Sequence, residues 1–198
     1  NYYKINVRNK IYRPIGFADL VFGFVGELGY IDAFSDTKVT PFFENFYSGG
    51  PRSLRGFESN TLGPRVTPAP CYEYDPVNDI CPDIIDTDGD GIPDAPAQNP
   101  YAFSQYDDPI GGNLLIEGSM QLIFKLPIVD DTRSMRSAFF LDFGNVFSTD
   151  CQDYQLNCSD PSIDELRYSI GVGITWITGF GPMSFSFSQP FNDGPFDR

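Results

Sequence analysis

The chain has 198 residues, of which 41 % are hydrophobic, so it is long enough for one domain and too apolar for general disorder. Its formal charge of −14 would repel a phosphate backbone, so we expect no nucleic-acid partner. No apolar run approaches the roughly 20 residues of a membrane-spanning helix, and the first residues lack the pattern of a signal peptide.

Two strands are predicted at the start of the chain, in residues 2–12 and 18–31, where apolar and polar residues alternate loosely. A short turn at residues 14–17 separates them. Both segments reach the roughly 9–11 residues that a tilted strand needs to cross a membrane. We therefore expect an antiparallel pair of long strands.

A long connection follows at residues 32–111, and its first motif lies at residues 45–57. The motif reads Asn-Phe-Tyr-Ser-Gly-Gly-Pro-Arg-Ser-Leu-Arg-Gly-Phe. Gly-Gly-Pro in its middle indicates a chain reversal. Arg55, Gly56 and Phe57 place a permanently charged, planar donor beside a flexible residue and a large ring. In isolation these three residues would suit an ordinary surface loop, but the whole motif suits a loop that folds back and binds another part of the protein.

The second motif of this connection is acidic, because residues 71–110 hold ten Asp or Glu and no Lys or Arg. Its centre is similar to the opening of an EF-hand, although the glutamate at position twelve and the flanking helices are missing. Two interpretations stay open: a solvated acidic tip, or a Ca²⁺ site in which the carbonyl of Ile92 assists four carboxylates. Those carboxylates belong to Asp86, Asp88, Asp90 and Asp94. No other cofactor is indicated.

Four further strands with stronger alternation are predicted, in residues 113–126, 136–147, 166–177 and 183–191. One face of each is apolar and the other is mostly polar or small. Phe139 and Leu141, for example, share the apolar face of their strand, whereas Asp142 points to the opposite side. Gln121 also lies on a polar face. Aromatic residues such as Phe147 and Trp176 lie toward the strand ends, where a membrane interface would place them.

The four cysteines form two close pairs inside acidic connections, Cys71 with Cys81 and Cys151 with Cys158. The chain has no histidine and no Cys-x-x-Cys spacing, which argues against a zinc site or a redox motif. Disulfides persist in the periplasm and on cell surfaces, so we expect two local bridges in an oxidising compartment. Without histidine, serine and cysteine hydrolase chemistry also lacks its base, and we expect no enzyme.

The elements together predict an all-β fold, an antiparallel sheet of about six strands from a transmembrane β-barrel. Short turns alternate with the long connections 32–111 and 148–165, which is typical of outer-membrane barrels. A soluble sandwich is the alternative. The long strands and the abundance of Gly and Ser on the polar face favour the barrel. Bacterial barrels start at eight strands, so we expect further strands outside this chain.

The motif at residues 45–57 resembles the sixth extracellular loop of the BamA family of outer-membrane assembly factors, in which Phe-Tyr-x-Gly-Gly is followed by Leu-Arg-Gly-Phe. The likeness spans nearly the whole chain in one register. Further matching segments lie at residues 41–47, 60–64, 111–113, 139–144, 181–182 and 189–191.

This resemblance implies a sixteen-stranded barrel whose sixth loop lies in the lumen, held by an arginine bonded to acidic groups of the inner wall. Arg55 would be that arginine, with Gly56 and Phe57 beside it, and Asp142 the matching aspartate. A second acidic position of the family falls at Gln121, so here one ion pair and one hydrogen bond would hold the loop.

The resemblance also implies a function: insertion of unfolded client proteins into the bacterial outer membrane, without a chemical step. Residues 1–198 would be the C-terminal part of the barrel, with periplasmic domains and a final strand outside it. The expected partners are outer-membrane lipids, client proteins and lipoproteins of the assembly complex, and the long connections would face the cell exterior. The alternatives are a related translocator, of the two-partner secretion or TamA-like kind, and a calcium-dependent surface adhesion domain.

Overall fold

The structure is a computed structural model that describes residues 1–16, 19–35, 40–66, 109–126, 134–151, 155–194 and 197. Within them, one 3-10 turn (Phe42–Glu44) accompanies the strands, and no helix is long and apolar enough to cross a bilayer. The strands are β1 (Tyr2–Pro14), β2 (Val21–Ala33), β3 (Arg65–Val66), β4 (Leu114–Phe124), β5 (Met135–Phe147), β6 (Gln155–Leu156), β7 (Arg167–Thr178) and β8 (Gly181–Phe191).

The six long strands form one sheet in the order β1-β2-β4-β5-β7-β8, and every neighbouring pair is antiparallel. Each long strand thus pairs with the next long strand along the chain. The predicted all-β fold with six antiparallel strands is confirmed. The two-residue strands β3 and β6 pair with each other outside this sheet, through Arg65 and Leu156.

The sheet has two chemically different faces, because successive side chains of a strand point to opposite sides. We call the side that carries Asp142 the inner face and the other side the outer face. Asp142 is fully buried, while its neighbour Leu141 on the outer face is 40 % exposed. Other large apolar side chains exposed on the outer face include Phe139, Ile170, Val172, Phe185 and Phe187.

The alternation of exposure ends near the carboxyl end of β5, where residues 144–147 are all buried. Phe147, expected among the aromatic residues of a membrane interface, is completely buried. The connections cover this end of the strand. The side chain of Asn145 donates a hydrogen bond to the carbonyl of Glu165 (2.7 Å), and the backbone at Gly112 packs against the carbonyl of Phe147.

Candidate functional site

Residues 45–64, which we call the inner loop, lie on the inner face of the sheet. At its start, Phe46 and Gly112 exchange backbone hydrogen bonds of 2.9 and 3.0 Å, so the start of the inner loop is held against the segment just before β4. The Phe46 ring lies over Gly29 of β2, where an added Cβ would be 2.5 Å from the ring. Ile31, Leu115 and Phe46 belong to one buried cluster. The chain turns inward here because a large ring fits the space beside a glycine.

Replacing Gly29 with alanine is expected to push the Phe46 ring away and to destabilise the protein by about 1–3 kcal/mol, the usual cost of overpacking. Gly179→Ala is the control, because a Cβ at Gly179 meets nothing within 4 Å. Both variants carry the same change in chain flexibility. Unfolding in urea, measured on detergent-solubilised protein, should separate them. Equal stability of the two variants would contradict the proposed fit between ring and glycine.

The next part of the inner loop is the chain reversal that the sequence predicts. Gly49 and Gly50 have positive φ angles of 104° and 96°, which favour glycine. The amide of Ser53 donates to the carbonyl of Gly50 (3.2 Å), and the amide of Gly50 donates to the carbonyl of Leu54 (3.1 Å). The reversal is therefore closed by its own backbone. Just before the reversal, burial raises the pKa of the Tyr47 phenol.

Arg55 follows the reversal and binds Asp142 of β5 with two parallel hydrogen bonds, Nε to Oδ2 and Nη2 to Oδ1, both 2.7 Å. This fork geometry is the strong form of an arginine–carboxylate pair. The carboxylate is fully buried and the side chain of Arg55 is only 17 % exposed. The guanidinium carbon also lies 3.4 Å from the centre of the Phe140 ring, a cation–π contact. The two residues that the resemblance pairs thus lie in direct contact.

Ser119 of β4 is part of this site, although the sequence reasoning missed it. Its hydroxyl donates to Asp142 (2.6 Å) and accepts a hydrogen bond from Arg55 Nη2 (3.1 Å). Gln121 donates to the same hydroxyl (3.1 Å), so it is linked to the arginine through Ser119. The register places Ser119 directly opposite Asp142. The alternation of side chains along each strand could have assigned Ser119 and Asp142 to the same face of the sheet, but it could not have shown that they lie opposite each other.

The residues after Arg55 bring the inner loop close to the far side of the sheet. Gly56 has a φ of +96°, and an added Cβ would lie 3.0 Å from Ser188 Oγ on β8 and 3.4 Å from Ser169 Cβ on β7. Phe57 is buried with Leu54 in a small cluster within the loop. From Phe46 to Gly56, the inner loop therefore touches five strands: β2, β4, β5, β7 and β8.

A second buried ion pair, also missed from the sequence, joins Arg167 at the start of β7 to Asp197. Arg167 Nε lies 2.5 Å from Asp197 Oδ2, and the amide of Gly194 donates to the same oxygen (2.6 Å). Asp197 is fully buried, and its carbonyl accepts a hydrogen bond from Thr61 of the inner loop (3.3 Å). The pair therefore ties the segment after β8 to both β7 and the inner loop.

The disulfide Cys151–Cys158 is present, in the connection after β5. Cys71 and Cys81 lie outside the described residues, and so do the four candidate calcium ligands Asp86, Asp88, Asp90 and Asp94. That bridge and that site therefore stay predictions. In the part of the chain that is described, no group of three or more Cys, Asp or Glu could hold a metal ion.

Comparison with known proteins gives consistent matches. A family model described as the Omp85 superfamily domain matches residues 1–198. The outer membrane protein assembly factor BamA of Neisseria meningitidis serogroup B is 31 % identical over 193 residues, covering 87 % of this chain and 19 % of that protein. The BamA of Neorickettsia risticii is 29 % identical over 94 residues, 46 % of this chain and 12 % of the relative.

Among solved structures, a crystal structure of BamA from Haemophilus ducreyi lacking POTRA domains 1–3 has a similar fold. The TM-score is 0.70 at 25 % sequence identity, over 99 % of this chain and 33 % of that chain. The present chain thus spans about a fifth of the length of the meningococcal relative and a third of the solved chain.

Proposed function

Because this chain belongs to the Omp85 superfamily, we propose that it is part of an outer-membrane β-barrel that assembles and inserts other β-barrel proteins. The observation that carries this proposal is the inner loop, bonded through Arg55 to Asp142 on the inner face of the sheet. A soluble sandwich would need an apolar core at that position. Here a charged pair and a row of hydroxyls occupy it.

The membrane part of the proposal is supported by the outer face. Six strands of 11 to 13 residues expose large apolar side chains on that face, as a wall in contact with lipid requires. The partners on this face are lipid chains of the outer membrane. The connections 32–111 and 148–165 would then face the cell exterior, and the short turns at the opposite ends of the strands the periplasm.

In the proposed mechanism the barrel guides unfolded client proteins into the membrane, and no bond is made or broken. The contribution of the inner loop and of the strands it contacts is to keep the wall of the barrel in shape. The inner loop does this because it contacts strands from β2 to β8, and the buried fork between Arg55 and Asp142 fixes its position. Accessory lipoproteins of the assembly complex would bind parts of the protein outside these strands.

A related translocator, of the two-partner secretion or TamA-like kind, is the second candidate, since such proteins are expected to share the Arg-Gly-Phe loop. The two relatives named above are both assembly factors, which favours assembly. The adhesion alternative depends on Asp86, Asp88, Asp90 and Asp94, which lie outside the described residues. A calcium titration of the full-length protein would test it separately.

The function can be tested with the full-length protein that contains this chain, incorporated into lipid vesicles with its lipoprotein partners. A urea-denatured outer-membrane protein is added, and its folding is followed by protection from protease. We expect faster and more complete folding than in vesicles that hold a β-barrel protein of another family. Equal folding in both kinds of vesicle would reject the assembly function.

A further inference from the structure

A second polar attachment of the inner loop lies on β4, at Glu117. The hydroxyls of Ser48 and Ser53 both donate hydrogen bonds to Oε1 of this carboxylate. The two hydroxyls are also 3.1 Å apart, and the amide of Gly49 donates to Ser53 Oγ (3.2 Å). These residues flank the chain reversal on both sides. The carboxylate therefore holds the reversal at its base.

The surroundings of Glu117 on the wall make these bonds important. Its direct neighbour across the strand pair is Glu27 of β2, and like charges in opposite positions destabilise a sheet. Glu27 has donors of its own on β1, Asn6 at 2.9 Å and Arg8 at 3.3 Å. The hydroxyls bonded to Glu117, in contrast, belong to the inner loop. Removing the loop would leave this carboxylate without those donors beside a second negative charge.

The opposite neighbour on β5 is Gly144, which leaves room for the Glu117 side chain. An added Cβ at Gly144 would lie 2.5 Å from the carbonyl oxygen of Ile116, 3.0 Å from Glu117 Cα and 3.1 Å from Glu117 Cγ. A larger residue at Gly144 would therefore displace the β4 backbone at Ile116 and, with it, the glutamate under the reversal.

We propose that Glu117, together with Ser48 and Ser53, is a positioning site that sets the orientation of the chain reversal independently of the Arg55–Asp142 pair. One attachment point lets a loop turn about it, whereas two points on different strands fix its direction. The tip of the reversal, Pro51 and Arg52, is exposed and borders a cavity of about 510 Å³ on the inner face. The orientation therefore decides how far this tip projects over the inner face.

This inference deepens the proposed function, because it names residues that orient the same loop, and it can be tested without any client protein. Amide hydrogen exchange is measured on the full-length protein. In the Ser48→Ala/Ser53→Ala variant, exchange of the amides of residues 49, 50 and 52–54 should rise by about tenfold or more, as expected from losing hydrogen bonds to a charged acceptor. Amides 55–57, held by Arg55, should stay within about twofold of the original protein.

Two further variants keep the test informative if the double variant does not fold. Ser53→Thr retains the hydroxyl and Glu117→Gln retains an acceptor oxygen, so both should restore slow exchange relative to Ser53→Ala and Glu117→Ala. The control is the double variant Ser184→Ala/Ser186→Ala on β8. The hydroxyl of Ser184 lies 3.1 Å from that of Thr175 on β7, so this variant also loses two hydroxyls and should leave exchange in the inner loop unchanged.

Unchanged exchange at the amides of residues 49, 50 and 52–54 would overturn the inference, and so would an equal rise at these amides and at amides 55–57, since the two attachments would then not be independent. Lack of rescue by Ser53→Thr and Glu117→Gln would overturn it as well. Folding of clients in vesicles with unchanged exchange would reject this site and leave the proposed function standing. Altered exchange without client folding would support this site and reject that function.

Discussion

Arg55→Ala is expected to lower the free energy of unfolding by about 3–5 kcal/mol, the cost of leaving one partner of a buried ion pair behind. Asp142 is fully buried, and two hydrogen bonds from the Arg55 fork would be lost at once. Ser119 would remain as a donor to the carboxylate, but a hydroxyl does not neutralise its charge. The full-length protein should therefore unfold at lower temperature, measured by its heat-dependent migration on gels.

Arg52→Ala is the matched control, because Arg52 is an exposed arginine of the same inner loop. Exposed charges contribute at most about 1 kcal/mol, so this variant should behave like the original protein. Arg55→Lys should fall between the two, since an ammonium group keeps the charge and loses the planar fork. If Arg55→Ala were as stable as Arg52→Ala, the inner loop would not be held by this pair.

Arg167→Ala is expected to have an effect of similar size, about 3–5 kcal/mol, because it would strand the carboxylate of Asp197. That residue is fully buried, and Arg167 Nε lies 2.5 Å from it. The segment after β8 should then detach from β7 and from Thr61, and protease should cleave it faster. Urea unfolding and timed proteolysis of the full-length protein would measure the two effects.

The control for the second prediction is Arg136→Ala, an exposed arginine at the start of β5. A charge-free pair, Arg167→Met with Asp197→Leu, should recover most of the lost stability, since apolar residues can replace a buried ion pair. A double variant that is no more stable than Arg167→Ala would argue against the ion pair as the cause of the loss.

The strands and their order were predictable from the sequence for a simple physical reason. A strand with one face in an apolar medium must alternate, and that alternation also fixed the side on which Asp142 lies. Short turns then required antiparallel pairing of β1 with β2, β4 with β5 and β7 with β8, and the outer-membrane barrel pattern extended chain order across the two long connections. Arg55 was recognised through the resemblance of its motif to a known loop, and its isolated residues would not have indicated a partner on β5.

The remaining contacts of the site depend on the register between strands and on the path of the connections, and the alternation of residues in a single sequence determines neither. Ser119 faces Asp142, and Glu117 faces Gly144, only because β4 and β5 pair in one of several possible alignments. A shift by two residues would keep every side chain on its face and change both sites. Arg167 and Asp197 are 30 residues apart, and nothing in the pattern of either segment indicates that they meet. The burial of Phe147 likewise comes from connections that no periodicity describes.

The attachment of the inner loop to β2, β4, β5, β7 and β8 has a mechanical consequence. Strands joined only by ladder hydrogen bonds can slide or bend apart at any seam, so the compliance of a plain sheet is spread evenly. The inner loop crosses four successive seams of this arc and makes it stiff, since opening a seam also separates the loop from a strand that it contacts. In a barrel containing this arc, elastic deformation would concentrate at the unbraced seams, and the braced arc would move as one plate.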